Sequence, residues 1–300
     1  MHKNFLHLTP HFKGLLENKV VVVTGAGSGF GEAIALGFTF AGAKIGVLDV
    51  NEVAVKEVVK KINSEFPNCA FPMVASVTDE KKLEQVYTAL EKKLGSVDVL
   101  VNCAGIAKLG LIDSLSPADI KLSTDVNING YFLNAMIASK YMVKKKSGCI
   151  LNISSASARM ASEKSSLYGV AKEAQCMMTR LWAMDLGKYN IRVNSILPGD
   201  LYGDPKLGIT SSIWNQSYFE KKAVDKDLVK ANDPRLGGKT LNPKIRELVV
   251  GYYAKRTVLG KPIHYSDIMG QIILLCSDLS SKITGESIAL TAGNPGAFSK

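Results

Sequence analysis

Tyr168 and Lys172 stand four positions apart in Tyr168-Gly169-Val170-Ala171-Lys172. On a helix that spacing puts both side chains on one face. A phenol has a pKa of about 10, too high for a base near neutrality. An ammonium beside it favours the phenolate, so the pair has the makings of a proton-exchanging group. Such pairs are common on helices and mostly inert, so the surroundings have to supply the rest of a site.

A second chemical group is the run Thr24-Gly25-Ala26-Gly27-Ser28-Gly29-Phe30-Gly31, which follows a β-branched segment and opens a helical one. Glycines there permit a tight turn and let backbone N–H groups approach a pyrophosphate at the helix N-terminus. Asp49 lies twenty-four residues after Gly25, at the end of the second strand-like segment. That is where an acidic residue hydrogen-bonds the adenosine ribose of a bound dinucleotide. A carboxylate repels a 2′-phosphate, and the glycine run holds no Lys or Arg to receive one. NAD is therefore the expected cofactor rather than NADP.

These groups need a scaffold that brings a turn, a strand end and a helix face to one crevice. Short β-branched runs predict strands over 20–23, 44–48, 70–75, 97–101, 149–153, 191–196 and 287–290. Between them, helices are predicted over 30–41, 52–65, 79–93, 127–143, 166–186 and 266–276, with Asp79 near an N-cap. Alternating strands and helices mean parallel crossovers and a sheet covered on both faces. The predicted fold is α/β: a doubly wound, Rossmann-like parallel sheet in a single domain over 19–300. An N-terminal arm over 1–18 precedes it, and an extended substrate-cap insertion covers about 200–262. The ligand crevice belongs at the carboxyl ends of the strands.

Five segments, in order, carry a family resemblance. The glycine run matches Thr-Gly-x-x-x-Gly-x-Gly. Asn102-Cys103-Ala104-Gly105 is similar to Asn-Asn-Ala-Gly, with Cys103 in place of the second Asn. Val126-Asn127-Ile128-Asn129-Gly130 follows, then Asn152-Ile153-Ser154-Ser155, with Ser155 thirteen residues before Tyr168. Ile191-Arg192-Val193-Asn194-Ser195 leads to Pro198-Gly199. From about Asn18 to Gly293 the chain thereby resembles the short-chain dehydrogenases/reductases.

The resemblance implies an NAD-dependent oxidoreductase that moves a hydride between a nicotinamide and a secondary alcohol or ketone. It makes Tyr168 the proton-exchanging group and Ser155 the residue that holds the reacting oxygen. Lys172 would bind the nicotinamide ribose and lower the Tyr168 pKa, and Asn127 would hold a water in a proton relay. It places the cofactor against Gly25, Ser28, Gly29, Phe30, Gly31, Asp49, Ser76, Val77, Asn102, Ala104, Tyr168, Lys172, Pro198 and Gly199. Three places depart from the pattern: Ser76-Val77 replaces Asp-Val, Asp200-Leu201-Tyr202 lacks a Thr, and Thr291-Ala292-Gly293 replaces Asp-Gly-Gly. A homotetramer is the family default. A catalytically silent regulatory protein that kept the fold is the rival reading, and Ser155, Tyr168 and Lys172 argue against it.

Composition narrows the rest. The net charge is +10, but the basic runs Lys144-Lys145-Lys146 and Lys221-Lys222 are short and not interleaved with aromatics. They read as solvated surface, not as a nucleic-acid site. Five cysteines are widely spaced and none of the four histidines joins a Cys or carboxylate cluster, so no metal is expected. Free thiols, an N-terminus interrupted by His7, Pro10, His11 and Lys13, and no membrane-length apolar run place the chain in the cytoplasm.

Residues 200–262 carry twelve Lys or Arg against seven Asp or Glu, half of the whole excess. Gly251-Tyr252-Tyr253-Ala254-Lys255-Arg256-Thr257-Val258-Leu259, Tyr265-Ser266-Asp267 and Thr284-Gly285-Glu286-Ser287-Ile288 resemble the sugar-alcohol and sugar-phosphate members of the family, sorbitol-6-phosphate 2-dehydrogenases among them. Polyol, lactaldehyde and 3-oxoacyl substrates stay open beside them. For a phosphorylated substrate, Arg256 is the first residue expected to bind the phosphate, because a guanidinium can hold two oxygens at once. The bland reading of the same charges is a solvated helical face.

Overall fold

A computed structural model describes residues 9–203, 229–231, 239–241, 251 and 254–297. A seven-stranded parallel sheet forms from β1 (Val20–Thr24), β2 (Lys44–Asp49), β3 (Ala70–Val74), β4 (Val99–Asn102), β5 (Gly148–Ile153), β6 (Ile191–Pro198) and a last strand, β11 (Ser287–Leu290). Its spatial order is β11-β6-β5-β4-β1-β2-β3. The chain winds outward from β1 to β3, then returns to lay β4 on the other side of β1. That reversal opens a crevice between the carboxyl ends of β1 and β4, as doubly wound sheets require.

β1 shows why the run of valines is a strand. Successive side chains point to opposite faces, so Val21 and Val23 enter one core while Val20 and Val22 enter the other. All four are buried, each contributing about 1.5–3 kcal/mol against exposure. Helices α2 (Gly29–Phe40) and α3 (Glu52–Glu65) cover the first face, with a late helix, α8 (Tyr265–Cys276). Helices α4 (Glu80–Leu94), α6 (Gly130–Lys145) and α7 (Ser166–Leu186) cover the second. Side-chain caps start α3 and α4: Asn51 accepts from the Ala54 N–H, and Asp79 from the Lys82 N–H at 3.0 Å.

Several elements were not predicted, two of them just before α6. Pro117–Thr124 forms α5, started by a capping box in which Ser116 and Asp119 bond reciprocally, with Pro117 in the first turn. A π-turn, Asp125–Asn129, joins it to α6, so the α-helix expected from residue 127 begins three residues later, at Gly130. The arm expected over 1–18 opens, where described, with the short helix α1 (Thr9–Phe12). Its Leu16 is fully buried and donates its N–H to the Ala41 carbonyl. Residue 16 therefore packs as part of the domain.

Most of the expected cap, including 232–238 and 242–243 of the insert 231–243, lies outside the described residues. Its described parts include β7 (Leu201–Tyr202), paired in parallel with β10 (Ile263–His264). They also include the antiparallel strands β8 (Val229–Ala231) and β9 (Lys239–Leu241). The five cysteines are free; Cys149, Cys176 and Cys276 are buried. Among the described residues no helix is long and apolar enough to cross a membrane.

Candidate active site

A cleft of about 700 Å³ lies at the carboxyl ends of the central strands. The turn after β1 forms its floor. Gly25 has φ +68°, and a Cβ there would fall 2.8 Å from the Ala104 Cα. The two strand ends approach so closely only because that Cβ is missing. Thr24 Oγ1 ties the same two turns together by accepting from the Cys103 and Ala104 N–H groups at 2.9 and 3.0 Å. Ser28, the N-cap of α2, makes no side-chain bond to the helix, and Gly29, Phe30 and Gly31 line the cleft. The first turn of α2 thus presents N–H groups to the cleft without a capping side chain, which fits a pyrophosphate.

Asp49 is held at the next strand end. Its Oδ2 accepts from the Gly27 N–H at 3.1 Å and its Oδ1 from the Asn51 N–H at 3.0 Å. The carboxylate is therefore oriented by the glycine turn itself, at the cleft wall. Among the described residues that line the cleft, Lys172 is the only Lys or Arg.

At the far end, Ser155 follows β5 as the N-cap of a 3-10 turn, its Oγ accepting from the Ser157 N–H at 3.1 Å. Tyr168 and Lys172 project from one face of α7 onto the same cleft, with the Lys172 Nζ 5.4 Å from the Tyr168 ring centroid. Ser154 fixes α7 against β5, donating its Oγ–H to the Lys172 carbonyl at 2.7 Å. Burial pushes the Tyr168 phenol above its ordinary pKa, while its hydrogen bond with Ser155 pulls it down. Burial also draws the Lys172 ammonium down to about 8.

Most expected cofactor residues meet here: Gly25, Ser28, Gly29, Phe30, Gly31, Asp49, Ser76, Val77, Ala104, Tyr168, Lys172, Pro198 and Gly199 all line the cleft. Three expected residues do not. Asn102 is 1% exposed and turns its Nδ2 to Asn152 Oδ1 at 3.0 Å, bracing β4 against β5. Asn127 is fully buried, and its side chain grips the Ile106 backbone: Oδ1 accepts from the N–H at 3.0 Å and Nδ2 donates to the carbonyl at 2.9 Å. Its Nδ2 also reaches Ser123 Oγ, and its carbonyl accepts from Gln175. Asn127, expected to hold a water, thus keeps its side-chain amide on protein partners. Arg256 stands one residue back from the cleft, its Nε 3.3 Å from Oδ2 of the cleft-lining Asp200. Burial raises the Asp200 pKa and Arg256 opposes it.

Sequence reasoning missed Tyr265 and Cys103 as cleft residues. Tyr265 stacks on Phe30 with ring centroids 5.2 Å apart, a contact no local pattern announces. Cys103 was legible, since it replaces an expected Asn. Burial raises its thiol to about 12, so it stays protonated.

A doubly wound sheet with a glycine turn at its switch point, and a Ser–Tyr–Lys group on the same crevice, defines a class of dinucleotide-dependent oxidoreductase folds. The chain belongs to the short-chain dehydrogenase family, whose pattern it matches over residues 19–206. It is 34% identical over 279 residues to 2,3-dihydro-2,3-dihydroxybenzoate dehydrogenase of Bacillus subtilis (strain 168), covering 93% of this chain and 96% of that one. Sorbitol-6-phosphate 2-dehydrogenase of Escherichia coli (strain K12) is 29% identical over 278 residues, covering 92% and 98%. A solved 7α-hydroxysteroid dehydrogenase, complexed with NADH and 7-oxo glycochenodeoxycholic acid, superposes with a TM-score of 0.75 at 27% identity, covering 94% and 96%.

Proposed function

We propose that the protein interconverts a secondary alcohol and a ketone with NAD, on a polyol or sugar phosphate such as sorbitol 6-phosphate. The observation that carries this reading is one cleft lined by the glycine turn, Asp49, Ser155, Tyr168 and Lys172 together. The nicotinamide, when bound, supplies the hydride acceptor or donor. Ser155 Oγ holds the reacting oxygen and Tyr168 Oη exchanges its proton, while the Lys172 charge at the ring favours the phenolate. Following NADH absorbance with a panel of polyols, their phosphates and the matching ketones tests the reading. No turnover with any secondary alcohol or ketone would count against it.

Asp49 supports NAD over NADP by charge. Replacing Asp49 with Ala is expected to weaken NAD and lower the NAD-to-NADP affinity ratio by about tenfold or more, about 1.4 kcal/mol. Titration of both cofactors against both proteins measures this, and an unchanged ratio would refute the assignment.

The phosphate rests on Arg256, which the Asp200 contact brings to the cleft edge. To bind a phosphate it has to exchange one anionic partner for another, so Asp200 limits the gain. Sorbitol 6-phosphate is expected to exceed sorbitol by more than about tenfold in kcat/KM, with the advantage shrinking at high salt and in Arg256→Ala. Equal rates on both substrates would rule out a phosphate pocket.

A further inference from the structure

Beneath Tyr168, Lys172 joins a buried polar cluster in which Gln175 and Tyr131 have no part in the expected reaction. Lys172 is only 4% exposed, and its Nζ donates to the Ile153 carbonyl at 2.9 Å and to Gln175 Oε1 at 3.1 Å. Gln175, one turn further along α7, is fully buried. Its Nε2 donates to the Asn127 carbonyl at 2.9 Å. The Tyr131 hydroxyl donates to the same Ile153 carbonyl, also at 2.9 Å.

The amide at 175 has only one workable orientation, oxygen toward the ammonium and N–H toward the carbonyl. It therefore joins a group on α7 to the π-turn 48 residues away, through a side chain that carries no charge. Few buried positions need a glutamine, because an apolar residue of like size packs as well at lower desolvation cost. At this position an apolar residue would take one acceptor from a buried ammonium and one donor from a buried carbonyl.

We propose that Gln175 is a positioning residue: by bridging Lys172 to the Asn127 carbonyl, it keeps the lysine charged and fixed beneath the Tyr168 ring. This rests on the reading that Tyr168 and Lys172 serve the reaction. The titratable groups facing Nζ are Tyr168 and Cys176 of α7, Tyr131 of α6 and Cys103 after β4. Burial works to discharge the lysine at this place. A hydrogen bond accepted from the charged form works the other way, and the Gln175 oxygen supplies one beside that of Ile153. At neutral pH an amide neither takes nor gives a proton, so Gln175 holds the lysine without relaying its proton.

The test is an NMR titration of the full-length protein carrying ¹³Cε-labelled lysine, with the Lys172 signal assigned by its loss in Lys172→Met. Gln175→Leu is expected to lower the Lys172 midpoint by about one pH unit or more, the size of a lost hydrogen bond to a charged group. Gln175→Glu is expected to raise it, because a carboxylate then faces the ammonium. Opposite shifts in the two variants are not what a general loosening of packing produces. If Gln175→Leu does not fold, the near-isosteric Glu variant carries the test alone. A native midpoint in either folded variant overturns the proposal. Turnover by Tyr168→Phe reports separately on the underlying reading, since the titration needs no substrate.

Discussion

Replacing Tyr168 with Phe is expected to lower turnover by about 10² to 10⁴, the range typical of a lost general acid–base group. Dinucleotide affinity should stay near native. The substitution removes one oxygen and leaves the ring, so the contact with the Lys172 Nζ at 5.4 Å persists. The glycine turn and Asp49 lie at the other end of the cleft and keep their own hydrogen bonds. Stopped-flow turnover and a cofactor titration on the same preparations separate the two effects. Near-native turnover, with chemistry limiting the rate, would remove Tyr168 from the mechanism.

Gly31→Ala is expected to have the largest effect on cofactor binding. A Cβ at this position would lie 2.1 Å from the Gly25 carbonyl oxygen and 2.7 Å from its carbon. Both atoms are backbone, so the turn or the start of α2 has to move. Forced repacking of this kind costs about 1–3 kcal/mol of stability. The displaced turn also withdraws N–H groups from the cleft, and NAD affinity is expected to fall by about tenfold or more, at 1.4 kcal/mol per decade. Gly187→Ala is the control, because a Cβ there meets nothing within 4 Å. Calorimetric binding and thermal melts check both variants. If Gly31→Ala binds NAD as tightly as the Gly187 control, the turn is not the pyrophosphate cradle.

Much of this site was legible because its signals are local. The glycine run, Asp49 at a strand end and the four-residue Tyr168–Lys172 spacing each report on a single turn, strand or helix. The predicted 52–65 and 166–186 coincide with helices α3 and α7, where periodicity is sustained over many turns. Helix α5 was also announced, by Ser116-Pro117-Ala118-Asp119, but it is short and its buried face is a single Ser123. With almost no apolar stripe, a periodicity argument passes over it.

What the amino-acid order determined by itself is the α/β alternation, the glycine turn and the placing of Tyr168 and Lys172 on one helix face, while Ser155 entered through the family resemblance. Each depends on residues close together in the chain, whose geometry follows from backbone and helix periodicity. Only the tertiary structure decided which polar residues face the cleft and which face each other. Asn102 and Asn127 carry the expected letters, yet both are turned into the interior and bonded to Asn152 and Ile106. Gln175 carried no expectation, yet it joins Lys172 to Asn127, and Asp200 reaches Arg256. The reason is physical: a buried polar group is placed by the partner that satisfies it, and here all of those partners but Lys172 lie 21 to 56 residues away.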